Sequence, residues 1–333
     1  MNHNPPLSPR PLPLPAVDAR RVLSTAQLRS LGVSGTEVGV YCRPGGGWQQ
    51  LLPGVFLLHP GRPTGEDRVE GALLYARRGG AVPRQGPDAV ITGQAALALH
   101  GFSSVSSPAE LERIEVLVPR TRRLRSTGWV RVVRAQEMPE APYLSGVPVA
   151  PVTRALADAV SGLTDPGLVR RLLTEAVRGG HCEPGAVVRE LNRARLLTRP
   201  HVVDAVDSLL AEGRAIAEER LYAMVREHGL PDPLWNVDLR LPGGPHLGGL
   251  DAYWPDQAVA VELDTRAPRQ DDDALWSEYT RKREHLERLG ITVVHITPRK
   301  LREAREQQAT VVRTALMAAT DRQPAAYVVV LPR

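Results

Sequence analysis

The last third of the chain alternates between strand-like and helix-like patterns, which limits the folds that it can form. A helical pattern that ends at Gly229 precedes three short apolar runs, separated by turns at Pro-Gly-Gly-Pro and Trp-Pro-Asp. A second helical stretch, a strand-like run at residues 291–296 and a last helix complete the order. Helix, three strands, helix, strand, helix is typical of one sheet with helices packed against it. We therefore expect an α/β domain in this part of the chain.

The N-terminal region reads as two short helices followed by a hairpin. Ser24 and Ser34 are suited to cap the helices, and Gly32 ends the first of them. Two apolar runs then flank Pro53-Gly54, which predicts a β-hairpin. This order is that of a winged helix-turn-helix. DNA binding is the favoured role of such a module, and a module used only for protein contact is the alternative.

The central region mixes helices with two alternating runs, IEVLVP and WVRVVRA. We expect these runs to pair as a hairpin. The basic link between them would then form a tip that touches a nucleic-acid backbone, with a solvated loop as the alternative. The expected fold class is α+β multidomain: an N-terminal winged helix-turn-helix, a mixed α/β middle and a C-terminal α/β sheet flanked by helices. The expected divisions are residues 1–16 (a disordered Pro-rich tail), 17–62, 63–198, 199–320 and 321–333 (a C-terminal tail).

Composition favours a polyanionic partner over a membrane. The net charge is +5, and a basic surface binds phosphates. No apolar run approaches the roughly 20 residues of a membrane span, and the Pro-rich start lacks the apolar core of a secretory signal. The two cysteines, Cys42 and Cys182, fit neither a metal spacing nor a disulfide framework. We expect a cytoplasmic protein that binds DNA, with no membrane association and no organic cofactor.

Acidic residues lie at the ends of neighbouring strand-like runs in the C-terminal region. Asp251 is expected to open one strand and Glu262 to end the next, with a turn between them. Glu262 and Asp264 are two residues apart, so they share one face of an extended strand. Glu218 or Glu219, on the preceding helix, would add a further carboxylate. Such a group suits a hard cation such as Mg²⁺, which polarises a phosphoryl oxygen and generates hydroxide.

Several stretches of residues 213–318 carry a family resemblance: Glu218-x-x-Leu221, GLPDPLWN, LDAYWP, VAVELD, RKREHLERLGITVVHIT and PRKL. Together they resemble the very-short-patch-repair (Vsr-like) branch of the restriction-endonuclease-like PD-(D/E)xK superfamily. The resemblance implies a restriction-endonuclease-like α/β sheet flanked by helices. It also implies catalytic positions at Glu218, Asp251, Glu262 and Asp264, with Mg²⁺ or Mn²⁺ held by the last three.

Two features depart from that family. Nucleases of the wider superfamily often carry a Lys that stabilises the pentavalent phosphate at the position of Asp264. An Asp at this position is common in the Vsr-like branch. Thr265 and Arg269 stand where the branch usually has Gly and an acid–base His. Arg is always protonated and cannot act as a base. Two interpretations of this domain therefore remain. It is an active endonuclease, or it keeps the nuclease fold only for binding or scaffolding, and the second interpretation is favoured.

A second resemblance covers residues 20–195. The stretches STAQLRSLGVSGTEV, WQQLLPGVFLLHP and AVITGQAALALHGF resemble the AbiEi-type antitoxins of type IV toxin–antitoxin systems. That resemblance implies a winged helix that binds operator DNA and a following domain that neutralises a cognate toxin protein.

The leading hypothesis is an antitoxin-like transcriptional regulator that binds DNA and carries a degenerate nuclease-like C-terminal domain. The alternatives are a Mg²⁺-dependent DNA endonuclease and an antitoxin that contacts its toxin and never touches DNA. The residues expected to contact nucleic acid are Arg29, Thr36, Tyr41, Arg43, Arg122, Arg123, Arg125, Arg281 and Lys282.

Overall fold

The chain combines helices with several small sheets and divides into two compact units, residues 1–159 and 160–333. The computed structural model describes residues 21–77, 87–265, 272–319 and 328–333, with the backbone alone at 272–279. The expected tail at residues 1–16 and Arg269 lie outside these ranges. Within them, no helix is both long enough and apolar enough to cross a lipid bilayer.

The first unit begins with two short helices and a three-stranded sheet. The elements are β1 (Val22–Ser24), α1 (Thr25–Ser30), α2 (Gly35–Tyr41), β2 (Gln49–Leu52) and β3 (Val55–Leu57). Strands β2 and β3 form the expected antiparallel hairpin, and β1 pairs with the other edge of β3. The order of helix, turn, helix and hairpin therefore matches the sequence pattern.

Local signals explain both helices. Ser24 and Ser34 each accept a hydrogen bond from the N3 backbone N–H, and the N3 side-chain oxygens accept one from the backbone N–H of the cap, as in a capping box. Gly32 has φ of 83° in the turn between the helices, a conformation that glycine adopts without steric cost. A small apolar cluster fixes the two helices against the sheet. Its buried members are Leu23, Leu28, Val33, Val38 and Phe56.

The rest of the first unit packs helices around a second three-stranded sheet of order β4-β5-β6. Its elements are α3 (Gly65–Ala76), β4 (Val90–Thr92), α4 (Gly93–Leu99), β5 (Ile114–Pro119), β6 (Val130–Ala135), β7 (Tyr143–Leu144), β8 (Val147–Pro148) and α5 (Val152–Gly162). The last helix, α5, spans the boundary between the two units.

The hairpin expected from IEVLVP and WVRVVRA is wrong, because β5 and β6 pair in parallel. The basic link between them folds back along β6 instead. Ser126 Oγ accepts a hydrogen bond from Val132 N–H, and Arg134 donates to the carbonyl oxygen of Leu124. The tight turn falls at Gly128, where φ is 50°. Alternating apolar residues define strands but not their relative direction, and the glycine decides where this chain reverses.

The second unit places helices on both sides of a five-stranded sheet. Its helices are α6 (Pro166–Arg178), α7 (Pro184–Arg193), α8 (Pro200–Glu227), α9 (Asp272–Arg288), α10 (Pro298–Glu303) and α11 (Arg305–Ala319). Helices α6, α7, α8 and α10 each start with Pro, which suits the first helical position because its N–H has no intrahelical partner. Helix α8 is continuous over 28 residues and packs against α6, α7, α10 and α11.

The sheet of the second unit has the order β12-β11-β10-β9-β13. Its strands are β9 (Leu234–Arg240), β10 (His246–Trp254), β11 (Val259–Leu263), β12 (Thr292–Ile296) and β13 (Val329–Pro332). Only β11 and β12 are parallel among these pairs. The tail expected at residues 321–333 thus includes an edge strand, because β13 pairs with β9.

Two apolar cores cover opposite faces of this sheet. On one side Leu221 and Met224 of α8 pack with Trp254 of β10. On the other side Leu286 at the end of α9 packs with Tyr253. Trp254 and Tyr253 are adjacent and almost fully buried, as expected where successive side chains of a strand enter opposite cores.

Candidate functional site

Two of the predicted carboxylates lie on neighbouring strands of the second unit. Strands β10 and β11 pair Ala252 with Val261, so Asp251 and Glu262 each lie next to a residue of this pair. Both residues are buried, with 4% and 7% of their surface exposed. Asp251 lies within β10, so the expectation that it opens the strand is wrong.

The alternation of side chains between the two faces of the sheet is interrupted at Asp251. Leu250 packs in one core and Ala252 in the opposite one, although residues two apart normally share a face. The paired strand β9 shows the same change between Val237 and Trp235. Asn236, between them, has φ of 48°. The change of face therefore falls at Asp251, whose carboxylate meets Arg214 of α8 and the backbone N–H of Leu263.

Two cationic side chains hold these carboxylates. Arg214 of α8 donates to Asp251 Oδ1 at 2.6 Å and to Glu218 Oε1 at 2.7 Å. Lys282 of α9 donates to Glu262 Oε1 at 2.7 Å and to the carbonyl oxygen of Gly249 at 2.8 Å. Charge-assisted hydrogen bonds of this length are strong, and they form two clusters, one around Arg214 and one around Lys282. The charge of Glu262 acts on Asp251 and so links the two clusters into one electrostatic network.

The electrostatics of Asp251 reflect this crowding. Burial raises the pKa of its carboxyl, and the nearby charges of Glu262 and Glu218 raise it further. The backbone N–H of Leu263, which donates to Asp251 Oδ2 at 2.6 Å, and the Arg214 guanidinium lower it. Asp251 is thus a carboxylate whose charge depends on partners supplied by the chain itself.

Asp264 does not share this network. It follows the end of β11, is exposed, and donates its backbone N–H to the carbonyl oxygen of Ile296. Its charge acts on His295, whose pKa lies below its ordinary value. Burial is the main cause, Glu262 and Asp264 act in the opposite direction, and Arg283 and Lys282 add to the lowering. The parallel register of β11 and β12 sets His295 beside Glu262, with Nδ1 3.9 Å from Oε2. The predicted acids therefore separate into three that are paired with Arg214 or Lys282 and one, Asp264, that follows the end of β11.

The oxygen atoms of these acids decide whether the site can hold the divalent ion that the nuclease resemblance implies. Carboxylate oxygen atoms are the right ligands for Mg²⁺ or Mn²⁺. However, both oxygen atoms of Asp251 already accept hydrogen bonds, and one oxygen atom each of Glu218 and Glu262 lies against a cation. Among the described residues, no three His, Cys, Asp or Glu side chains are gathered as a metal site. In this arrangement the residues do not fit a divalent ion.

The predicted nucleic-acid contacts of the first helices lie mostly at the surface. Arg29, Thr36 and Arg43 are exposed. Tyr41 is half-buried and stacks on Trp48, with ring centroids 4.5 Å apart. Tyr41 therefore helps to join α2 to the hairpin, a packing role that the sequence did not indicate.

The three predicted nucleic-acid contacts of the link between β5 and β6 differ in their surroundings. Arg122 donates to the carbonyl oxygens of Ala76 and Arg77, so it anchors the link to the end of α3. Arg123 and Arg125 are exposed. The structure therefore leaves these two on the surface and assigns Arg122 to the fold.

The two predicted contacts on α9 also differ. Arg281 is exposed, whereas Lys282 turns toward Glu262. The sequence reading grouped them as neighbours in a basic run, and the helix separates them because adjacent residues point about 100° apart. Arg214, which the sequence reading missed, could have been found from its spacing, because Arg214 and Glu218 are four residues apart on one helix.

Comparisons of the chain with known proteins do not assign it to a family. No protein-family model matches the chain, and no curated protein matches it.

Proposed function

We propose that this chain is a DNA-binding regulator and that α1, α2 and the β2–β3 hairpin form its DNA-binding module. The observation that carries the proposal is the surface of α2. Val38 is buried and Tyr41 is half-buried, while the other positions of this helix are exposed: Gly35, Thr36, Glu37, Gly39 and Val40. A helix held by two side chains and otherwise open to solvent is suited to enter a groove of DNA.

The exposed face of α2 has little side-chain bulk. A Cβ added at Gly35 or Gly39 would meet nothing within 4 Å, so both positions are open. Such a face lets the helix backbone approach DNA closely, and the exposed residues Arg29 of α1 and Arg43, just after α2, supply positive charge. Few of these side chains can read bases by paired hydrogen bonds. We therefore expect phosphate contacts to supply most of the affinity.

Fluorescence anisotropy with two labelled duplexes tests this proposal. One duplex comes from upstream of the chain's own gene and the other is unrelated. Affinity should fall steeply as salt rises from about 50 to 200 mM, because phosphate contacts release counterions. Gly39→Glu should abolish binding by adding bulk and negative charge to the α2 face. Arg113→Ala, an exposed residue elsewhere in the same unit, is the matched control.

Unchanged affinity of Gly39→Glu, or affinity that ignores salt, would contradict the proposal. If the wild-type protein does not bind DNA at all, the result would favour an antitoxin that contacts its toxin and never touches DNA. In that case the exposed apolar side chains Leu31 and Val40 would be the first candidates for contact with a toxin.

A Mg²⁺-dependent DNA endonuclease is the second candidate. Lys282 favours it only as a cation that could stabilise a phosphate, whereas the hydrogen bonds that Asp251 and Glu262 already accept oppose a divalent ion. The sequence has Asp264 at a position where the wider superfamily often carries a Lys, yet a lysine ammonium from α9 lies 2.7 Å from Glu262 Oε1. Incubation with nicked, mismatched and intact DNA plus Mg²⁺ or Mn²⁺ tests this candidate. It requires cleavage that Asp251→Ala abolishes, and cleavage by that variant would mean a contaminating nuclease.

A further inference from the structure

Three acids of the second unit, two of them buried and one half-buried, carry a charge that the chain itself largely neutralises. Glu218, Asp251 and Glu262 each have a hydrogen bond to Arg214 or Lys282. The two cations come from different helices, α8 and α9, which flank the sheet. They contribute one positive charge each, and together they match the charge of one divalent metal ion.

The cations are placed where a metal ion would have to bind. A divalent ion shared by Asp251 and Glu262 needs oxygen atoms that now accept from Arg214, Lys282 and the Leu263 N–H. Lys282 has 19% of its side chain exposed and Arg214 has 37%, so solvent screens them less than free surface charges. Two positive charges at these distances repel a third cation.

Burial explains why the counterions are present at all. A buried carboxylate without a partner is costly, because it loses its hydration. The nuclease resemblance implies that a divalent ion meets this cost, whereas here tethered side chains do so. We propose that Arg214 and Lys282 are built-in counterions that replace a divalent metal ion at Asp251 and Glu262, so that the wild-type protein neither needs nor binds one there. This inference is independent of the proposed DNA binding.

Isothermal titration with MnCl₂ tests the replacement. The wild-type protein should give no saturable binding at this site. Arg214→Gln removes one counterion and should gain saturable Mn²⁺ binding, with a Kd at least about tenfold below the highest Mn²⁺ concentration at which wild type shows none, because a nearby positive charge is gone. Adding Asp251→Asn to Arg214→Gln should abolish the gained binding. Arg283→Gln, which breaks an exposed ion pair on α9, is the matched control and should behave as wild type.

Thermal unfolding with and without Mn²⁺ keeps the test decisive if a variant is less stable. Mn²⁺ should raise the Tm of Arg214→Gln and leave that of wild type unchanged. Arg214→Lys, which restores a positive charge, should lose this response. Saturable Mn²⁺ binding by wild type that Asp251→Asn removes would overturn the inference, and so would an Arg214→Gln variant with no gain in binding.

Discussion

The carboxylate of Glu115 occupies the space that any side chain at position 93 would need. A Cβ built on Gly93 would lie 1.5 Å from Glu115 Oε2, and Gly93 has φ of 62°. Gly93→Ala should therefore lower the free energy of unfolding by about 3 kcal/mol or more, from backbone strain and the clash together. Denaturant unfolding followed by tryptophan fluorescence measures the change.

Gly101→Ala is the matched control for that substitution. Gly101 has φ of 87°, but a Cβ there would meet nothing within 4 Å. It should show the backbone cost alone, about 1 kcal/mol. Equal losses for the two variants would mean that Glu115 moves aside freely.

Stability should also depend on pH through Glu115. Burial raises the pKa of its carboxyl to about 7, with Arg131 acting in the opposite direction and Asp158 adding to the rise. The folded protein thus keeps a proton that the unfolded chain releases near its ordinary pKa of 4.5. Folding stability should fall as pH rises between those values, by about 3 kcal/mol in total, and level off above pH 7.

Glu115→Gln should flatten this dependence, because glutamine does not titrate. Urea unfolding of wild type and variant across about pH 4.5 to pH 8 makes the comparison. A wild-type slope that survives the substitution would assign the dependence to another group.

Removal of the Asp251 carboxylate should destabilise the second unit. Asp251→Ala leaves the Leu263 N–H without its acceptor and takes one of the two carboxylates from Arg214. The expected loss is about 3 kcal/mol by chemical denaturation. Glu284→Ala breaks an exposed ion pair with Arg288 and should cost less than about 1 kcal/mol. Similar losses in both variants would show that the buried network adds little.

Deletion of residues 328–333 should make the second unit prone to association. Strand β13 pairs with β9, so its removal exposes the backbone N–H and carbonyl groups of β9 as an open sheet edge. Light scattering after gel filtration should show larger species at rising concentration. Leu331→Ala, which keeps the backbone pairing, should remain like wild type, and a deletion variant that behaves the same way would contradict the prediction.

Local signals made part of the fold predictable from sequence. The caps at Ser24 and Ser34 and the turn at Gly54 depend on residues close together in the chain, so the first helices and hairpin match expectation. The direction of β6 was not predictable in this way, because apolar alternation is the same in parallel and antiparallel pairs. Gly128, whose positive φ places a tight turn just before β6, is the local feature that marks the reversal of the chain.

The candidate site shows a similar limit. Spacing and resemblance pointed to Asp251 and Glu262, and register places them on paired strands. The partners of these acids come from α8 and α9, and no rule of strand spacing specifies which helix residue reaches a buried carboxylate. Asp264 does not join Asp251 and Glu262, because strand β11 ends at Leu263, one residue before it.

Helix α8 has a consequence for how the second unit opens. Its 28 residues form a rod of about 42 Å, which packs first on α6 and α7 and then, through Leu221 and Met224, on the sheet. Neither layer can come apart without disturbing a backbone that the other layer still holds. Amide protons in the middle of α8 should therefore exchange with solvent only when the whole unit unfolds.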